Sequence, residues 1–167
     1  MKIYLATDHA GFALKEKVKQ RLSESGNEIE DCGAYEYTAS DDYPDFVKKA
    51  AKGVSQNPDA KAIIFGGSGQ GEAIVANKYK NVRAVVFYTP ALPAHAVDVN
   101  GRTSSDSFEM IRLTREHNDA NVLSIGANIL SEEDAFKAIE LWLQAPFSNG
   151  ERHVRRISKI SAIEQNE

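Results

Sequence analysis

Apolar runs, with one short mixed segment at 27–31, alternate with segments of helical spacing along the chain. Residues 2–7 read as a first buried strand that ends at Asp8-His9. A helix follows, with Leu14, Val18 and Leu22 four apart and Gly26 as its stop. Residues 27–31 form a short second strand that closes at Cys32-Gly33, and residues 34–42 form a polar loop. Tyr43-Pro44 then opens a helix carrying Phe46, Val47, Ala50 and Val54. A third strand, 62–65, runs into a glycine-rich turn, and a helical segment, 73–79, runs out of it. The fourth strand is placed at 82–87. Residues 88–107 read as irregular, holding Pro90, Pro93 and Asn100-Gly101. Helical spacing returns at 108–116, His117-Asn118-Asp119 leads into a fifth strand at 122–125, and Ser131-Glu132-Glu133-Asp134 has the form of a capping box. That helix presents Phe136, Ile139, Leu141, Trp142 and Leu143 and stops at Pro146. A basic joint, residues 152–156, precedes a last helix at about 154–165 with Ile157, Ile160 and Ile163. Strands alternating with helices predict one α/β domain over 1–167, a three-layer α/β/α sandwich with a five-stranded parallel sheet, Rossmann-like.

Bulk composition narrows the partners. A hydrophobic fraction of 42% with 26% charged residues suits a globular domain with a real core, and a formal charge of -4 argues against nucleic acid or an anionic membrane. No apolar run approaches the roughly 18 residues of a spanning helix, and the start of the chain turns polar at Asp8, too early for a signal peptide. Cys32 is the only cysteine, so no internal disulfide forms. The expected location is the cytoplasm.

The stretch with most chemistry is Gly66-Gly67-Ser68-Gly69-Gln70-Gly71-Glu72. A strand, a glycine turn and a helix in that order point unpaired backbone N–H groups at one spot, which attracts phosphate or a developing oxyanion. Glu72 sets a carboxylate beside it. An acidic residue in a first helical turn also suits the helix dipole with no catalytic role, so the loop alone leaves both readings open. It is neither a Walker A loop nor a G-x-G-x-x-G fingerprint. Asp8-His9 and the glycine loop fall at strand carboxyl ends, where such sheets bind ligands. His117 instead precedes its strand and points from the opposite edge, which hints at a site shared with a second subunit. No His, Cys and Asp grouping has metal-ligand spacing.

Four blocks together resemble one family. They are Asp8-His9-Ala10-Gly11-Phe12 with Leu14-Lys15; Gly67 through Glu72 with Ala76-Asn77-Lys78; His117-Asn118-Asp119-Ala120-Asn121-Val122-Leu123; and Arg152-His153 through Arg156. In this order and spacing the chain resembles the type B ribose-5-phosphate isomerases, which group with the galactose-6-phosphate isomerase subunits. The resemblance implies an aldose–ketose isomerase that needs no metal or cofactor and works through an enediolate. It implies a homodimer, with a tetramer as the alternative, whose sites are shared between subunits. Some members carry a cysteine base just before the glycine loop and others a glutamate at its end; here Gly66 stands at the first position and Glu72 at the second. Glu72 is then the base, the amides of Gly67, Gly69, Gln70 and Gly71 hold the enediolate, and Ser68 passes a proton between its oxygens. By similarity Asp8 and His117 open the sugar ring, His9, Arg152 and Arg156 bind phosphate, and Asn118 contacts substrate. His95 and His153 are read as bystanders.

Two departures bear on substrate. The region between the fourth strand and His117, which includes residues 88–107, exceeds the family's usual length by roughly twenty residues, against about 2–6 for ordinary loops. Asn128 stands where the family often has a phosphate-holding arginine, which asparagine replaces in neither charge nor fork. The replacement candidates are Arg102, Arg112 and Arg115. Ribose 5-phosphate is the first expectation for the substrate. The rivals are a hexose 6-phosphate of the galactose or allose type, and a sugar-phosphate-binding protein without turnover.

Overall fold

In the computed structural model, which describes residues 1–165, the expected strands become β1 (Lys2–Thr7), β2 (Glu28–Asp31), β3 (Lys61–Gly66), β4 (Ala84–Phe87) and β5 (Val122–Gly126). The helices are α1 (Phe12–Glu24), α2 (Pro44–Gln56), α3 (Gln70–Ala76), α4 (Glu109–Asn118), α5 (Glu132–Gln144) and α6 (Glu151–Gln165). All strand pairs are parallel, in the order β2-β1-β3-β5-β4. From β1 the chain moves outward to β2, and from β3 it moves the other way, so the loops after these two neighbours diverge and leave a crevice at their carboxyl ends. Asp8 and the glycine loop both border it.

Two-residue alternation along the strands fills both faces. Ile3, Leu5, Ile63, Phe65, Leu123 and Ile125 pack under α1, α4 and α5 through Val18, Ile111, Ile139 and Trp142. Tyr4, Ala6, Ala62, Ile64 and Val122 face the other way, against Val47, Ala50 and Val54 of α2 and Ala76 of α3. Each large side chain buried in this way contributes about 1.5–3 kcal/mol, which makes the strand ends a rigid base for the loops they carry. No helix among the described residues is long and apolar enough to cross a membrane.

The structure moves several boundaries. α3 begins at Gln70, inside the glycine turn, and ends at Ala76 rather than 79. β4 is shorter than 82–87 because Asn81 turns the chain at φ 64 and the Asn121 side chain takes the Arg83 N–H at 2.8 Å. α4 continues through His117 to Asn118, stopped by Asp119 at φ 45, whose N–H bonds the Arg115 carbonyl. The basic joint is helical, since α6 starts at Glu151. The Ser131 cap forms as expected, its oxygen accepting the Asp134 N–H at 3.0 Å.

Residues 88–107 hold no helix or strand but contain a built turn. Asp98 Oδ1 accepts the N–H groups of Asn100 at 2.9 Å and Arg102 at 3.0 Å, and Val97 N–H bonds the Arg102 carbonyl at 2.7 Å. Arg102 then ties the turn to α4 through Glu109 at 2.7 Å and Glu116 at 3.0 Å.

Candidate active site

The glycine loop is braced from the neighbouring strand. The Ser124 hydroxyl donates to the Gly69 carbonyl at 2.7 Å, Ala127 N–H to Gly66 at 2.8 Å, and Asn128 N–H to Gly67 at 3.1 Å. Gly69 caps α3 at φ 77, a conformation that costs glycine least. With its carbonyls directed to β5, the loop leaves the N–H groups of Gly67, Ser68, Gly69 and Gly71 without an acceptor among the described residues. The Gln70 N–H differs, because it bonds Ser68 Oγ at 3.3 Å. Four unpaired amides on one turn are an anion cradle.

Glu72, in the first turn of α3, is 4% exposed. Its carboxylate folds over Gly66, in the volume where a side chain at position 66 would begin. A side chain at position 66 would therefore displace the Glu72 carboxylate from this place, which agrees with the two alternatives that the resemblance implies. Burial raises the Glu72 carboxyl above the usual carboxylate range; its own backbone N–H pulls the other way, and the Asp8 charge adds to the rise. The helix dipole alone would weaken this base, and burial counters it before any substrate arrives.

Asp8 is buried and caps the 3-10 turn His9–Gly11, its Oδ1 accepting the Ala10 N–H at 2.9 Å. The cap and a role in the site are compatible, because one carboxylate oxygen remains. His9 meets Asp41, a residue that the sequence did not single out. Asp41 Oδ1 lies 2.7 Å from His9 Nδ1 and accepts the His9 N–H at 2.9 Å. The hydrogen bond to Asp41 raises the His9 imidazole above its ordinary value; burial opposes it, and the Asp8 charge adds a smaller rise. Asp8, His9 and Asp41 offer potential metal-ligand atoms all within 4.8 Å of one another, a grouping that local spacing could not reveal because the 34–42 loop delivers Asp41. Tyr43 was also missed: its hydroxyl sits against Gly71, where a side chain on that glycine would collide.

The second set of residues lies elsewhere. His117, Arg152 and Arg156 line a cavity of about 490 Å³ with Arg102, Glu116 and His153, and residues 96–100 form one wall. His153, read as a bystander, stacks on His117 with ring centroids 4.3 Å apart and planes 8° from parallel. Burial, then the neighbouring His153, lowers His117 below the ordinary imidazole value, so its neutral form dominates at neutral pH. Arg152 and Arg156 carry no ion pair among the described residues, leaving both charges for an anion. Asn118 is exposed at the end of α4 and does not line the cavity. Of the candidate replacement arginines only Arg102 does. Arg112 pairs with Asp106, and the buried Arg115 with Asp119. Asn128 is exposed beside Gly67.

None of residues 66–72 lines that cavity. Gly66 pairs with Gly126 at the carboxyl end of β5, whereas His117 precedes the amino end of the same strand at Val122. At ~3.3 Å per residue the strand alone separates them by more than 10 Å. One chain thus carries two groups of candidate residues at opposite ends of its sheet.

A family model described as ribose/galactose isomerase matches residues 3–102 and 103–160. Ribose-5-phosphate isomerase B of Mycolicibacterium paratuberculosis is 36% identical over 165 residues, covering 99% of this chain and 92% of the relative. Among solved structures, ribose-5-phosphate isomerase B of Mycoplasma genitalium with bound ribulose-5-phosphate superposes with a TM-score of 0.86 at 30% identity, covering 99% of this chain and 97% of that one. The Clostridium thermocellum ribose-5-phosphate isomerase B gives 0.83 at 35% identity, covering 99% of each. With a glycine cradle, a buried glutamate and full-length similarity of both sequence and fold, this chain belongs to the ribose/galactose isomerase family.

Proposed function

We propose that the protein interconverts D-ribose 5-phosphate and D-ribulose 5-phosphate through an enediolate, each active site being assembled from two copies of the chain. The observation that carries this reading is the Glu72 carboxylate, buried beside four unpaired amides. A binding module gains nothing from a buried carboxylate next to an anion cradle; a proton-transfer enzyme needs both.

The residues divide the reaction. His117, neutral, and Asp8 move the proton that opens the ring, while His9, Arg152 and Arg156 hold the phosphate. Glu72 takes the proton from C2, and the electrons of that C–H bond pass into the C1–C2 bond as the carbonyl oxygen becomes an oxyanion. The N–H groups of Gly67, Ser68, Gly69 and Gly71 receive that charge, and each such donor contributes about 2.7–4 kcal/mol in comparable sites. Ser68 is exposed, and its oxygen accepts the Gln70 N–H, which leaves its own hydrogen to shuttle between O1 and O2. Glu72 then returns the proton to C1.

Two features support the shared site. His117 lies at the far end of the sheet from Glu72, and α6, fifteen residues long, buries none of its side chains in this chain. Val154, Ile160 and Ile163 are 44%, 44% and 62% exposed, apolar surface that suits a second copy.

A related sugar phosphate is the second reading, favoured by the 96–100 wall on the cavity. Turnover of a panel of pentose 5- and hexose 6-phosphates tests the choice: ribose 5-phosphate is expected to show the highest kcat/KM, and a hexose phosphate ahead of it would replace this assignment. In the same assay Arg102→Gln is expected to raise KM several-fold, because it leaves Asp98, Glu109 and Glu116 uncompensated beside an incoming phosphate. Arg115→Gln is expected to lower Tm and leave KM alone. An unchanged KM in Arg102→Gln would remove Arg102 from phosphate recognition.

A further inference from the structure

We propose that Asp41 is a positioning residue for His9, one carboxylate oxygen fixing both the backbone and the ring of the histidine so that Nε2 is presented to the substrate's phosphate. This rests on the reading above in one respect only, that His9 meets the phosphate.

The geometry is specific. A single oxygen, Asp41 Oδ1, holds the His9 N–H at 2.9 Å and Nδ1 at 2.7 Å, which locks the position of the residue and the rotation of its ring together. With Nδ1 engaged from behind, only Nε2 is left to face outward. The Asp41 side chain is 10% exposed and that of His9 34%, so the carboxylate is enclosed while the imidazole keeps access to solvent. Asp41 Oδ2 is buried with no hydrogen-bond partner among the described residues, a costly arrangement for a carboxylate that only braced a loop.

The groups that face His9 are few. Asp8 adjoins it in sequence, and from the 34–42 loop come Asp41 and the edge of the Tyr37 ring, 6.2 Å between centroids. Asp8 already accepts from Ala10, so Asp41 is the carboxylate in direct contact with the imidazole. A carboxylate behind an imidazole selects the tautomer with hydrogen on the engaged nitrogen and stabilises the imidazolium. The cation is the form that binds a phosphate dianion, and the Asp41 charge is cancelled by the group it supports. Without that cancellation Asp8 and Asp41 would repel the ligand.

The test uses the full chain with Asp41→Asn, which keeps a neutral acceptor of the same shape, and Asp42→Asn, an exposed neighbour, as control. His9 is followed by its ring-proton NMR titration, and KM for ribose 5-phosphate is measured across pH. In Asp41→Asn the His9 midpoint is expected to fall, with KM rising up to about tenfold on the alkaline side and converging on wild type in acid. Asp42→Asn is expected to change neither. An unmoved His9 titration overturns the proposal, as does a uniform loss of kcat with lowered Tm and an unchanged pH profile, the signature of a loop brace. The NMR readout needs no turnover. A protein inactive on ribose 5-phosphate would thus refute the function above while the Asp41–His9 coupling is still decided.

Discussion

Glu72→Gln is expected to cut kcat by about 10²–10⁴-fold with little change in KM, and at the same time to make the protein more stable at neutral pH. Both effects come from the same burial. Glutamine keeps the shape that fills the space over Gly66 and loses the ability to accept a proton from carbon. The folded-state value of the Glu72 carboxyl is raised by desolvation and by Asp8. Between its unfolded and folded values the native state holds a proton that the unfolded chain has released, so this group's contribution falls as pH rises through that window and stays unfavourable above it. The variant escapes that penalty, and each kcal/mol regained corresponds to about 2–4 °C in Tm for a domain near this size. The gain is expected to vanish below the ordinary glutamate range, where both side chains are neutral. Paired kinetics and thermal melts across pH check this; a melt at neutral pH lower than wild type would mean that the carboxylate is paired and stabilising.

The second large effect follows from the proposal that each site joins two copies of the chain. Glu72→Gln and His117→Asn are each expected to be nearly inactive alone. A dimer of one copy of each recovers one intact pairing, Glu72 from one chain with His117 from the other, while its second site carries both defects. Random mixing makes half the dimers mixed, so co-refolded variants are expected to regain about one quarter of wild-type activity. If one chain supplied a whole site, mixing would restore nothing.

The sheet was legible because its signals are local and redundant. β1, β3 and β5 are apolar runs buried on both faces, and Pro44 and Ser131 mark helix starts by their own chemistry. Boundaries failed where the apolar pattern did not decide them: the distant Asn121 side chain trims β4, and the left-handed backbone of Asp119 stops α4 only after Asn118. The site divided in the same way. Gly66 to Glu72 could be read because strand, turn and helix are contiguous. Asp41, 32 positions from His9, could not, since nothing in Asp41-Asp42-Tyr43-Pro44 says which ring it will hold. The Asp42 beside it is exposed and looks identical in sequence. His153 was passed over because only the first turn of α6, misread as a joint, brings it onto His117.

Glu72 is proposed to move a carbon-bound proton, and isotope exchange reads that step directly. In deuterium oxide, wild-type protein incubated with ribose 5-phosphate is expected to place deuterium at C2 of the recovered aldose and at C1 of the ketose, and Glu72→Gln, still binding the sugar, is expected to place almost none. Exchange by Glu72→Gln at the wild-type rate would show that another group carries the proton.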